Sequence, residues 1–196
     1  GKPSDLLDFS QMKRFKSHLP GIIRPDVIVT EDRFIVTELD SVPGGFGSLT
    51  QLMELYQGSF NSLLGMENGG ILSLFSAMVQ ETAGKQDPVL AITVSDEAND
   101  YLDEMKFLGN RLNEEGLKTH VIHPRDIIFD EEGLFVQNSQ EKEKIDVIYR
   151  FFELFDLKNI PKSELLMYSS KKGKVKTTPP YKPFLEEKLS FALFKH

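Results

Sequence analysis

The sequence predicts an α/β layer structure, and three observations predict it. Residues 89–94 form an unbroken apolar run, as in a parallel strand buried on both faces. A helical pattern over 98–115 follows and stops at Gly116, the residue type favoured just past a helix end. Further apolar strand patterns come at 120–122 and 145–149, and strand–helix–strand alternation at this spacing argues for parallel pairing through crossovers. With 196 residues, 40% hydrophobic and 27% charged, the chain can bury such a core without cross-links, as one full domain or two small ones.

Ahead of that unit, residues 4–18 read as an amphipathic helix closed by Pro20-Gly21. Two short apolar runs, 27–29 and 34–39, flank Glu31-Asp32-Arg33 and predict a hairpin. The glycine-rich turn Pro43-Gly44-Gly45-Phe46-Gly47 leads into a helix over 48–56 with Ser48 as N-cap. A further helix over 70–81 carries Ile71, Leu72, Leu74, Phe75 and Met78 on one apolar stripe, and 83–88 reads as a linker. The expected division is 1–85, with the hairpin and helices, and 86–196, with the parallel sheet. Within the second part, 127–129 and 134–136 flank Asp130-Glu131-Glu132-Gly133 as another hairpin. Helical turns are expected over 151–156 and 162–169, a strand over 175–178 and a last helix over 184–195.

Charge and composition remove several classes of function. Cysteine is absent, which excludes thiol nucleophiles, thiolate metal sites and disulfides together. The net charge of −7 and a pI near 5.2 argue against non-specific nucleic-acid binding, which depends on Lys and Arg displacing phosphate counterions. The lysine run at 171–176 reads as a solvated turn and strand edge. No apolar run reaches the roughly 20 residues of a bilayer span, and no signal-like segment is visible. A cytoplasmic protein with neither membrane nor nucleic-acid partners is expected. Gly1 stands where Met is usual, so the expectation is a portion of a longer chain.

The informative stretch is Arg24-Pro25-Asp26 together with Thr37-Glu38-Leu39-Asp40. If residues 31–33 form a three-residue loop, Thr30 faces Phe34, Ile28 faces Val36 and Asp26 faces Glu38. Side chains alternate with period two, so Arg24, Asp26, Glu38 and Asp40 fall on one face. Like charges directly opposite one another destabilise a sheet, and Arg24 brings a single positive charge. A hard divalent cation with oxygen ligands, Mg²⁺ in particular, answers that repulsion. Simple solvation of the acids at a hairpin end is the other reading. It gains if the register slips by one residue, which turns Glu38 and Asp40 away.

These residues resemble the metal-binding hairpin of the glutathionylspermidine synthase-like enzymes, the circularly permuted ATP-grasp family. That pattern has Arg-x-Asp on one strand and Glu-x-Asn on the next, followed by a Pro or Pro-Gly turn. Arg24 and Asp26 match the first part, and the twelve-residue step to Glu38 fits. Asp40 stands where the family has Asn and adds a negative charge. The resemblance implies that Asp26, Glu38 and Asp40 hold Mg²⁺ bridging the phosphates of ATP, and that Arg24 binds the transferred phosphate or acyl phosphate. It implies a ligase joining a small-molecule carboxylate to an amine. Stretches 145–150 and 179–188 are similar to the Rossmann-like pre-ATP-grasp domain of such proteins. The resemblance also implies that the nucleotide-clamping lysines lie downstream of the matched region, so that these residues alone are inactive.

Gly44-Gly45 before a helix could cradle a phosphate on backbone N–H groups, or could form a sharp turn and nothing more. The run lacks the Lys-Ser/Thr of a P-loop. His120 and His123 are three apart at a strand end and point to different faces, which disfavours a zinc pair. Asp126 to Glu132 lacks the spacing of a calcium loop. Phe151, Phe152 and Phe155 read as core. A non-catalytic α/β binding or interaction domain with an incidental acidic hairpin is the second hypothesis.

Overall fold

The structure is a computed structural model and describes residues 4–58, 65–66, 69–138 and 141–193. In chain order, α1 (Ser4–Gln11) precedes a hairpin of β1 (Arg24–Val29) and β2 (Phe34–Asp40), followed by α2 (Phe46–Tyr56) and α3 (Gly70–Ala83). Next come β3 (Leu90–Val94), α4 (Leu102–Glu114), β4 (Thr119–Ile122), β5 (Ile128–Phe129), β6 (Leu134–Gln137) and β7 (Lys142–Lys144). The chain continues through β8 (Val147–Phe151), α5 (Ser163–Lys172), β9 (Lys176–Thr178) and α6 (Leu189–Leu193).

A parallel sheet with strand order β4-β3-β8-β9 forms the middle layer. The parallel pairing expected of the strands near 89–94, 119–122 and 145–149 is present. All five residues of β3 and of β8 are buried, the signature of strands covered on both faces. Leu90, Ile92 and Val94 join Val147 and Tyr149 in a core with α3 and α4. Ala91 and Ile148 point to the opposite face and pack with Leu6 and Phe9 of α1, Leu166 of α5 and Leu134 and Val136 of β6. Each core thus takes side chains from both sides of residue 85.

The crossover helix is fitted residue by residue. Met105, Leu108 and Leu112, at helical three- and four-residue steps, are fully buried. A Cβ on Gly109 would stand 2.8 Å from Val121 Cγ2, so glycine lets α4 lie close on β4. Gly116, with φ of +92°, closes α4, and Leu117 N–H returns to Leu112 O at 2.9 Å. The Asn113 side chain then clips the start of β4, donating to Thr119 O at 2.8 Å and accepting from Thr119 N–H at 2.9 Å.

Several elements differ from the sequence reading. α1 stops at Gln11 and tightens into turns, with Phe15 N–H on Met12 O and His18 N–H on Phe15 O. In a continuous helix Phe9 and Phe15 would lie about 120° apart around the axis. The break lets their rings stack at 4.6 Å and enter one core. α2 starts at Phe46, capped by Gly45 in the left-handed region, so Ser48 is inside the helix and not its cap. The helix expected over 184–195 is a 3₁₀ turn, Pro183–Glu186, followed by the short α6, because Glu186 turns inward to buried partners. Residues 194–196 lie outside the described residues. β7 pairs with β6 although its sequence is Lys-Glu-Lys, with Lys142 Nζ 4.0 Å from the Phe135 ring centre. Among the described residues no helix is long and apolar enough to cross a membrane.

Candidate functional site

The hairpin of β1 and β2 reaches the expected pairing by a different route. Its loop has four residues, with Thr30 N–H on Arg33 O at 2.9 Å, and Val29, Ile28 and Val27 face Phe34, Ile35 and Val36. Continued without change, that register would place Thr37 opposite Asp26 and turn Glu38 to the other face. An extra residue in β2, Thr37, interrupts the ladder as a bulge, and its hydroxyl donates to Asp26 O at 3.1 Å. Beyond it Asp26 faces Glu38 and Arg24 faces Asp40. The expected pairs Thr30–Phe34 and Ile28–Val36 are therefore wrong, while the pairs that matter chemically are present. The apolar residues of the ribbon, from Val27 to Val36, are largely exposed.

At the mouth Arg24 binds both aspartates. Its Nε lies 3.2 Å from Asp26 Oδ1 and its Nη2 3.2 Å from Asp40 Oδ2, while Nη1 donates to Gly44 O at 3.2 Å. Asp40 Oδ1 accepts from Val42 N–H at 2.8 Å. Burial raises the Asp40 carboxyl above its ordinary value, against the pull of the Val42 N–H and Arg24, and the charges of Glu38 and Asp26 add to the rise. Glu38 pairs with Lys188 Nζ at 2.8 Å. Each of the three acids on the hairpin face thus has a cationic partner from the chain itself.

Sequence reasoning missed the wall opposite the hairpin. Arg150, buried in β8, pairs through Nη2 with Glu186 and donates to Pro179 O, Phe152 O and Pro180 O. Glu186 Oε2 accepts from Leu154 N–H at 2.8 Å. Glu153 hydrogen-bonds to Glu186 and is pushed up to about 7, by burial first and then by the charge of Glu186. Glu153, Glu186 and Lys188 line a cleft of about 110 Å³ together with Glu38, Asp40 and Ser41, whose Oγ is buried without a partner. The signal available in the sequence was Arg150 itself, a charge closing an apolar strand, since arginine is almost never fully buried unless paired.

Gly44 and Gly45 have separate reasons to be glycine. A Cβ on Gly44 would stand 2.5 Å from Tyr101 Cε1, and Gly45 has φ of +93° with open space around it. At the start of α2 the Gly47 N–H is already directed to Glu104 Oε1 at 3.3 Å, so an acid of α4 occupies part of the anion position. The histidines serve different neighbours, His120 Nε2 lying 2.7 Å from Glu143 and His123 Nε2 3.3 Å from Asp96. Among the described residues, no three His, Asp or Glu side chains gather closely enough to hold a metal ion as they stand. No family model matches the chain, and no curated protein is significantly similar to it.

Proposed function

We propose that this chain carries the metal-binding hairpin and the adjoining Rossmann-like unit of an ATP-dependent carboxylate–amine ligase of the circularly permuted ATP-grasp type. The observation that supports it is the register beyond the Thr37 bulge, which gathers Arg24, Asp26, Glu38 and Asp40 at one mouth. The donor set suits Mg²⁺, since all three acids offer hard oxygen ligands and Mg²⁺ needs few of them when phosphates complete its shell. Asp26, Glu38 and Asp40 would hold the ion, which when bound neutralises charge on the phosphates of ATP. Arg24 offers a planar fork that fits a phosphate or acyl phosphate as well as a carboxylate. Of the two glycines before α2, Gly45 has open space around it for a phosphate oxygen, whereas Gly44 makes room for the Tyr101 ring. In the reaction the γ-phosphoryl group passes to a carboxylate oxygen and ADP departs. The amine then attacks the carbonyl carbon, phosphate leaves, and the nitrogen loses a proton. Charge neutralisation by Arg24 is this chain's own contribution to phosphoryl transfer.

One observation favours a second reading: Arg24 and Lys188 already neutralise the hairpin acids. In that reading the chain is a non-catalytic α/β domain for binding small molecules or a partner. A melting series separates the two. Mn²⁺ is expected to raise the melting temperature of the wild type and not of Glu38→Ala, with little added by Mg²⁺–ATP and no ATP turnover by these 196 residues. No response to metal in either protein would overturn the ligase reading in favour of the binding domain.

A further inference from the structure

A second cleft, of about 170 Å³, opens at the carboxyl ends of β3 and β8. Its position has a topological reason. From β3 the chain passes through α4 to β4 on one side, and later returns to β8 on the other. Strand order reverses between β3 and β8, and crevices at such points are where open α/β sheets bind ligands. Ser95 and Ala98 follow β3, while Phe152 and Glu153 follow β8, so both strand ends contribute wall.

The chemistry of the lining is one-sided. Tyr101 and Phe151, edge to face at 5.5 Å, supply an aromatic side, with Phe155 at the rim. Every ionisable group in the lining apart from Tyr101 is an acid: Glu97, Glu153 and Asp156. No lysine or arginine lines the cleft among the described residues. Asp156 is 93% buried, since its relative exposure is 7%. Its Oδ1 accepts from Asn159 Nδ2 at 2.6 Å, but its Oδ2 has no hydrogen-bond partner. A buried carboxylate oxygen without a donor is costly, and a ligand N–H would relieve it. Aromatic faces beside acids attract a cation and repel phosphate or carboxylate.

From this we propose that the cleft between the ends of β3 and β8 binds a small organic cation, an ammonium carried on an aryl or alkyl body. The ammonium meets Asp156 and Glu153, and the apolar body lies against Tyr101 and Phe151. The volume is below the about 300–1,000 Å³ of drug-sized pockets, so the ligand is no larger than an aralkylamine. The proposal does not rest on the ligase reading, because none of the hairpin acids lines this cleft, although Glu153 lines both clefts.

Titration of the ¹⁵N-labelled chain with phenethylamine, and separately with phenylpropionate, tests the proposal by amide shifts. Saturable shifts are expected at Ser95, Ala98, Tyr101 and Phe151 with the amine, and none there with the acid. Asp156→Asn should weaken the amine by about tenfold, the value of one hydrogen bond to a charged group. Equal binding of both probes, shifts confined to other residues, or unchanged affinity in a folded Asp156→Asn protein would overturn it. Should that variant not fold, the contrast between amine and acid on the wild type decides, and Ala98→Phe, which fills the cleft, must abolish the shifts.

Discussion

Arg150 is fully buried, and its partner is the carboxylate of Glu186, which lines the cleft beside the hairpin. Removing one member of a buried pair of this kind costs about 3–5 kcal/mol, because the other charge is left uncompensated. Three backbone carbonyls share the guanidinium, and beside the pair Glu153 is pushed up to about 7, by burial first and then by the charge of Glu186. The sign of the effect on stability follows. A carboxyl whose value is raised in the folded state stabilises the fold below its unfolded value, and that contribution is lost as pH rises through about 7. Wild type is therefore expected to lose stability relative to Glu153→Gln between about pH 4.5 and pH 7.5. Paired urea melts across that range check it, and parallel curves would show that Glu153 titrates normally.

Among the elements, α4 depends on a single small residue for its seat on β4. Gly109→Leu would drive a side chain into Val121 and lever α4 off β4, and overpacking of this sort costs about 1–3 kcal/mol. Thermal melts should show the loss, whereas Ala98→Ser, outside α4, should leave the helix seated. The elements also show what could be read from sequence and what could not. Strands β3 and β8 announced themselves because burial on both faces leaves almost only apolar residues, with Thr93 and Arg150 the exceptions. The pairing of Asp26 with Glu38 was legible, yet through two compensating departures: a loop one residue longer than expected, and a bulge at Thr37 that restores the alternation. Local pattern has no term for a bulge, since Thr37 is as good a strand former as its neighbours. β7 was illegible because Lys142 and Lys144 are exposed and Glu143 is held by long-range partners, Lys118 and His120. Glu153 and Glu186 were missed for a related reason. They lie far apart in sequence, and only the turn after Pro183 brings them together.

On the scale of the whole molecule, one carboxyl belongs to two openings. Glu153 lines the cleft beside the hairpin and the cleft at the ends of β3 and β8. Burial, the charge of Glu186 and that of Asp40 hold a proton on it, and Arg150 pulls the other way. The two openings therefore form a single thermodynamic system, in which occupancy of one alters the affinity of the other by an equal and reciprocal factor. A cation arriving at Glu153 from either side displaces that proton into the solvent. Calorimetric heats for phenethylamine at about pH 7 should accordingly differ between Tris and phosphate, whose own ionisation heats differ, and the difference should vanish in Glu153→Gln. Identical heats in the two buffers would show that the ammonium binds without reaching Glu153. Where the heats do differ, the first cation to arrive drives that proton off and the second meets a bare carboxylate, so that through it Mn²⁺ at the hairpin and the amine at the strand ends each strengthen the other, one guest clearing the seat for the next.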